Sequence, residues 1–307
     1  MKLPALARFS IVAGFVLACS VAAEPTARVW HHATWQGESA FEATSGSIRA
    51  IVSVARARLI YFGSVDGRHS LLFAPATRDD PAGWGGHRLW LGPQSEWPGG
   101  WPPPQAWEAS PPESVTRSGP RLELVLHASG DGWPRLTRSY IWEGVDLHCE
   151  AHMAGGTRPA QFIQILQLPP TADVSVQPTV TDEVPNGYVL LHLGRKPSPQ
   201  RVFPTPPHVS KEDGGRLRLV FLNRREKLGF NAQPLIATMG AATLRVASGV
   251  STGNVLSTPD EGFVTQVYLG GGESQLIELE QLSPLYPAGA DASFEIIVSA
   301  TGIAPST

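Results

Sequence analysis

The chain has 307 residues, 42% of them hydrophobic and 17% charged, with 24 Lys+Arg against 27 Asp+Glu for a formal charge of −3. A mildly acidic balance disfavours nucleic acid as a partner, and so apolar a chain has material for a large core and is not disordered. Glycine (31) and proline (28) are numerous but spread throughout, which fits turn-rich all-β structure.

At the N-terminus Lys2 and Arg8 flank the start of a run, 9–18, that is apolar except for Ser10, and the small residues Val21-Ala22-Ala23 follow. Such a run is too short to anchor in a bilayer and reads as an export signal, with cleavage after Ala23. Residues 1–23 are then a leader, and 24–307 form a single domain. Val16-Leu17-Ala18-Cys19 offers a second outcome, because it resembles a bacterial lipoprotein cleavage box, with Val16 where Leu is usual and Cys19 as the lipidated residue. Both routes place the mature chain in the periplasm or cell envelope, with membrane contact only through a lipid on Cys19. Either way Cys149 has no intramolecular partner, so disulfides contribute nothing. Without the leader, 22 Lys+Arg face 27 Asp+Glu, a formal charge of −5.

From about Ser47 onward, short stretches of β-branched and aromatic residues recur between Gly, Pro, Asn and Asp. Strands are predicted at 50–54, 59–62, 122–127, 136–142, 145–153, 162–168 and 188–193, then at 217–222, 235–239, 242–247, 263–269, 275–282 and 294–300. Leu217, Leu219 and Phe221 share one face of their strand, as do Phe294, Ile296 and Val298 of theirs. No window holds three turns of helical periodicity with caps, so the expected architecture is one large, mainly antiparallel sandwich. The Pro-rich stretches 97–112 and 197–207 read as long loops over it.

Five tryptophans (Trp84, Trp90, Trp97, Trp101 and Trp107) fall in a stretch broken by Gly85-Gly86, Gly99-Gly100 and Pro102-Pro103-Pro104. Indoles on rigid loops beside His87-Arg88 and Gln94 suit a ligand with C–H faces and hydroxyls, which describes a sugar; equally, they can seal the end of a sandwich. On an extended path His87, Leu89 and Leu91 point one way, and Arg88, Trp90 and Gly92 the other. That geometry lets Arg88 donate to sugar oxygens while Trp90 stacks on a pyranose face. A buried Arg88 held by a carboxylate is the alternative.

Further along, His148, Glu150 and His152 share a strand face, a weak metal pattern. Arg224-Arg225-Glu226-Lys227-Leu228-Gly229 reads chiefly as solvated loop charge, with Lys227 leaning into the cleft as the other option. Near the end, Glu278 and Glu280 lie on one strand face with Leu276 and Leu282, opposite Ile277 and Leu279. Two carboxylates among apolar neighbours need partners, so Arg88 or another cation is expected beside them, and such a carboxyl can be tuned for proton transfer. No Gly-x-Ser-x-Gly elbow, phosphate loop or Cys/His cluster occurs, and no cofactor is called for.

Leu59-Ile60-Tyr61-Phe62-Gly63, Gly85-Gly86-His87-Arg88-Leu89-Trp90 with Pro93-Gln94, Lys227-Leu228-Gly229, and Glu278-Leu279-Glu280 with Ser283-Pro284 appear in an order that resembles the galactose-mutarotase-like superfamily. These are relatives of aldose 1-epimerase, and the likeness is strongest to a bacterial aldose-epimerase-like branch. The resemblance implies a β-supersandwich with a sugar cleft on its concave face. It also implies a late glutamate, Glu280 or Glu278, that takes the anomeric hydroxyl proton, and a histidine that protonates the ring oxygen. Where that histidine is expected the chain reads Phe162-Ile163-Gln164-Ile165-Leu166-Gln167, which leaves His87 as the nearest substitute. The resulting expectation is a hexose-binding protein, with Glu280, Glu278 and His87 as catalytic candidates and Arg88, Trp90, Gln94, Trp84 and Lys227 as sugar contacts. The alternative is a carbohydrate-binding protein of the envelope without turnover.

Overall fold

The structure, a computed structural model, describes residues 28–75, 85–97, 102–108, 110–191, 199–200, 208–256, 262–272 and 274–303. Cys19, Trp84 and Trp101 lie outside the described residues. In chain order come β1 (His31–Trp35), β2 (Glu38–Ser45), β3 (Ile48–Ser53), β4 (Arg58–Ser64), β5 (His87–Gly92), a one-turn helix α1 (Gln105–Glu108), β6 (Ser114–Ser118), β7 (Arg121–Val125), β8 (Arg135–Glu143), β9 (Asp146–Ala154) and β10 (Gln161–Leu168). There follow β11 (Asp173–Val176), β12 (Val189–Leu191), β13 (Pro199–Gln200), β14 (Val209–Lys211), β15 (Leu217–Leu219), β16 (Glu226–Phe230), β17 (Leu235–Met239), β18 (Ala242–Thr252), β19 (Thr265–Leu269), β20 (Ile277–Leu282) and β21 (Asp291–Thr301).

The strands make three sheets whose pairings are all antiparallel among the described residues. They are a four-stranded meander β1–β4, a seven-stranded sheet in the order β13-β12-β16-β19-β20-β10-β5, and a ten-stranded sheet in the order β14-β15-β11-β17-β18-β21-β9-β8-β7-β6. One continuous apolar cluster joins them, including Phe62 of the meander, Phe162 and Leu279 of the seven-stranded sheet, and Leu136, Cys149 and Ile296 of the ten-stranded one. The all-β sandwich expected from the alternation is thus the observed fold. Burial shows which sheet faces are covered. β9 and β21 alternate buried and part-exposed residues, so one face of the ten-stranded sheet meets water. In contrast, every residue of β5, β10 and β20 is buried, so the middle of the seven-stranded sheet is covered on both faces.

Two glycines are required where the meander meets β5. Gly85 (φ +72°) and Gly86 (φ +81°) hold left-handed backbone, and a Cβ at Gly86 would fall 2.1 Å from the Leu59 carbonyl oxygen. They let β5 run close beneath β4 without pairing to it.

Candidate functional site

Antiparallel partners project to the same face, so the register of the seven-stranded sheet defines its rows of side chains. Arg88 of β5 lies opposite Ile165 of β10, which lies opposite Glu280 of β20, which lies opposite Gln266 of β19. The neighbouring row reads Gln167, Glu278, Tyr268, Lys227 across β10, β20, β19 and β16. On the other side of the Arg88 row, Trp90, Ile163 and Leu282 make an apolar row. One face of the sheet therefore carries Arg88, Glu278, Glu280, Lys227, Gln167 and Tyr268. The opposite face, turned to the core, carries His87, Leu89, Gln164, Leu166 and Leu279.

Contacts across the face follow from this placement. Lys227 Nζ stands 3.1 Å from Glu280 Oε2, and Arg88 Nη1 stands 3.8 Å from Glu278 Oε1. Gln167 Nε2 donates to Glu278 Oε1 at 2.7 Å. Sequence reasoning missed Glu108 of α1. Its carboxylate lies 3.0 Å from Arg88 Nε and 3.2 Å from Arg58 Nη2, and it accepts from Trp90 Nε1 at 2.8 Å. No pattern around Glu108 marks it, because its partners come from β4 and β5. Gln167 carries no local signal of its own, since an amide among Ile165, Leu166 and Leu168 reads as part of an apolar strand.

All of these groups are nearly dry. Arg58, Arg88, Glu108 and Glu280 are each no more than 5% exposed, while Glu278 and Lys227 reach 8% and 7%. Tyr268 is half-buried, so the face is least covered along the Gln167–Glu278–Tyr268–Lys227 row. Burial raises the Glu278 carboxyl to about 7, helped by the charge of Glu280 and opposed by Arg88, Gln167 and Lys227. Burial likewise raises the Tyr268 phenol, with Glu278 and Glu280 adding to the effect. Arg58 is brought down to about 10 by its burial, against the attraction of Glu108.

Among the polar atoms of this face that are shut from solvent without a hydrogen-bond partner in the described residues are Arg88 Nη2, a donor, and Gln167 Oε1, an acceptor. An unmatched buried donor or acceptor costs about 1–3 kcal/mol, and a hydroxyl group, which both donates and accepts, satisfies such a pair.

Several sequence expectations need correcting. His87 is fully buried on the core face, with Nδ1 3.2 Å from the Tyr140 hydroxyl and the cation of Arg138 nearby. Burial holds its imidazole well below the ordinary value, so it is neutral, and the sheet itself separates it from Glu278 and Glu280. It is a core residue and not the acid of this face. Trp90 shares the face of Arg88 but is 1% exposed, packs edge-on against Trp97 at 5.3 Å, and spends its N–H on Glu108. Its ring is therefore closed to a pyranose. Trp97 and Trp107 are also buried, so the described indoles of the cluster serve to pack. Gln94 sits in a 3₁₀ turn (Gln94–Glu96) beyond the end of β5, away from the Glu278 row. Lys227 is not loop charge; it lies in β16, buried, with Phe263 covering the adjacent Gly229. His148 bonds Glu295 at 2.6 Å and His152 bonds Asp291 at 2.9 Å, on the outer face of the ten-stranded sheet. A shallow hollow of about 730 Å³ lined by Gln177, Lys211, Glu212, Asp213, Gly214 and Arg216 lies on β14 and the following turn, on the other large sheet from this cluster.

No protein-family model matches the chain, and no curated protein matches it in sequence. Solved structures do match in fold. A galactose mutarotase-like protein from Lactobacillus casei ATCC 334 aligns with TM-score 0.56 at 10% identity, over 89% of this chain and 100% of that one. HI1317 aligns with TM-score 0.54 at 13% identity, over 89% and 96%. YeaD of Salmonella typhimurium, a proposed mutarotase, aligns with TM-score 0.52 at 12% identity, over 89% and 94%. The chain thus has the galactose mutarotase-like fold.

Proposed function

We propose that the protein is exported and binds a hexose or related neutral sugar on the polar face of the seven-stranded sheet, where it interconverts the sugar's anomers as an aldose 1-epimerase does. The observation that carries this reading is the convergence of Arg88, Gln167, Glu278, Glu280 and Lys227, from four strands, around the unmatched Arg88 Nη2 and Gln167 Oε1. Cations and carboxyl groups match in number on the face, three of each when Arg58 and Glu108 are included, so at most one positive charge is left over when Glu278 holds its proton, which suits an uncharged ligand better than a phosphorylated one. Tyr268, at the least covered row, supplies the aromatic surface that Trp90 does not. Glu280 serves as base: the Lys227 ammonium at 3.1 Å favours its carboxylate form, ready to take the proton from the anomeric hydroxyl. Export rests on the N-terminal run 9–18 and the small residues after it, which lie outside the described residues.

A second reading, sugar binding without turnover, is favoured by one observation: among the described residues no histidine stands on this face, and Gln167 lies opposite Glu278 instead. Polarimetry or NMR exchange of freshly dissolved α-anomers separates the two. Wild type is expected to exceed the buffer rate, with Glu280→Gln losing about 10²- to 10⁴-fold. Saturable binding at the buffer rate selects the second reading. Neither binding nor acceleration across a panel of aldoses refutes both.

A further inference from the structure

Resting on the reading that this face epimerises a sugar, we infer that Glu278 is the group that delivers a proton to the ring oxygen, so that two carboxyl groups of one strand do the work usually divided between a glutamate and a histidine. Glu278 and Glu280 are two positions apart on β20 and project to the same side, roughly 7 Å apart at the backbone, close enough for their side chains to reach two oxygens bonded to the same anomeric carbon. Their surroundings differ. Glu280 faces the Lys227 ammonium at 3.1 Å, whereas Glu278 receives an amide N–H from Gln167 at 2.7 Å and has Arg88 at the longer distance of 3.8 Å. A pair of like groups pushed apart by environment is the arrangement in which one acts as acid and its neighbour as base.

The other proton carriers on the face fit less well. Lys227 is committed to Glu280, and the Tyr268 phenol is raised by burial and by both carboxylates, so it holds its proton too firmly near neutrality. Glu278, brought to about 7, is matched to that pH from both sides. The charged and titratable groups facing Glu278 are Arg88 from β5, Tyr268 from β19, Lys227 from β16 and Glu280 on its own strand, with Gln167 from β10 as the neutral donor.

The step balances without a co-reactant. Glu280 removes the proton from the anomeric O–H, the C–O bond becomes a carbonyl, and the bond from the anomeric carbon to the ring oxygen breaks. The ring oxygen takes the proton of Glu278. After rotation of the aldehyde the ring oxygen adds to its other face and returns its proton to Glu278, while the new hydroxyl recovers one from Glu280.

The test is the rate of mutarotation of α-D-galactose and α-D-glucose, followed by polarimetry from pH 5 to 9, with wild type, Glu278→Gln, Glu278→Asp and Tyr268→Phe compared at matched folded fractions by circular dichroism. The expected result is a wild-type rate that falls as pH rises through about 7, a loss of about 100-fold or more in Glu278→Gln below that pH which narrows as the wild-type rate falls, and a partial rate in Glu278→Asp that still falls with rising pH. Tyr268→Phe is expected to keep the alkaline fall. If wild type accelerates the reaction but Glu278→Gln stays within about threefold of it at pH 5 to 6, or if Tyr268→Phe abolishes the alkaline fall, the role of Glu278 is overturned while the epimerase reading stands. If wild type never exceeds buffer, the epimerase reading falls and this inference with it.

Discussion

Glu108 is the least replaceable side chain of the cluster, and Glu108→Gln tests why. The substitution preserves shape and still accepts from Trp90 Nε1, but it removes the negative charge that lies 3.0 Å from Arg88 and 3.2 Å from Arg58. Both guanidinium side chains are 2% exposed or less, so water does little to make up the loss. Taking one partner from a buried ion pair costs about 3–5 kcal/mol, because the charge left behind stays desolvated. In a chain of this size that corresponds to a fall of roughly 5–8 °C in Tm. The pH dependence makes the prediction specific. Below about 7 Glu278 is protonated and leaves Arg88 without a carboxylate; above it the Glu278 carboxylate, 3.8 Å away, takes over part of the role. The loss is therefore larger at pH 5 than at pH 8. Urea unfolding of both proteins at the two pH values, followed by circular dichroism, measures it. A cost below about 1 kcal/mol at both, typical of an exposed pair, would refute the assignment of Glu108 as the buried counter-charge.

Glu278→Gln tests linkage directly. A carboxyl raised from 4.5 to about 7 in the folded state binds more protons there than when unfolded, so wild-type stability falls as pH climbs between those values. Glutamine mimics the neutral form, so the variant gains on wild type by on the order of 3 kcal/mol between pH 4 and pH 8; a pH-independent difference in denaturant midpoint would count against the raised carboxyl. Gly86→Ala is expected to lose at least ~2 kcal/mol in thermal unfolding, since it combines left-handed backbone with a Cβ only 2.1 Å from the Leu59 carbonyl oxygen, and a neutral result would rule out the close approach of β5 to β4. Cys149 is fully buried and its thiol is raised by burial, so in a chain carrying Cys19→Ser an aromatic disulfide reagent should label nothing until denaturant is added. Prompt labelling of the folded chain would contradict the packing of β9.

The division between what the chain shows by itself and what folding adds is visible at β5 and β20. That Arg88 and Trp90 point opposite to His87, Leu89 and Leu91, and that Glu278 and Glu280 share a side, was legible from alternation alone, because a strand's side-chain direction is set by its own pleat. The same alternation announced most of the other strands and hence an all-β sandwich. The meander strands β1 and β2 were less legible, since His31–Trp35 and Glu38–Ser45 are too polar to show a clear apolar period. Tertiary structure alone decided the neighbours. Ile165 of β10 stands between Arg88 and Glu280, residues 192 positions apart in the chain, and β16 and β19 bring Lys227 to the same place. Nothing local encodes such pairings, because ladder hydrogen bonds are made by backbone groups common to every residue. Sheet order is settled by which faces bury together. That is also why His87 was misplaced and Glu108 missed: the strand pattern places His87 opposite Arg88 but does not say which side faces the core, and the role of Glu108 exists only once β4, β5 and α1 meet.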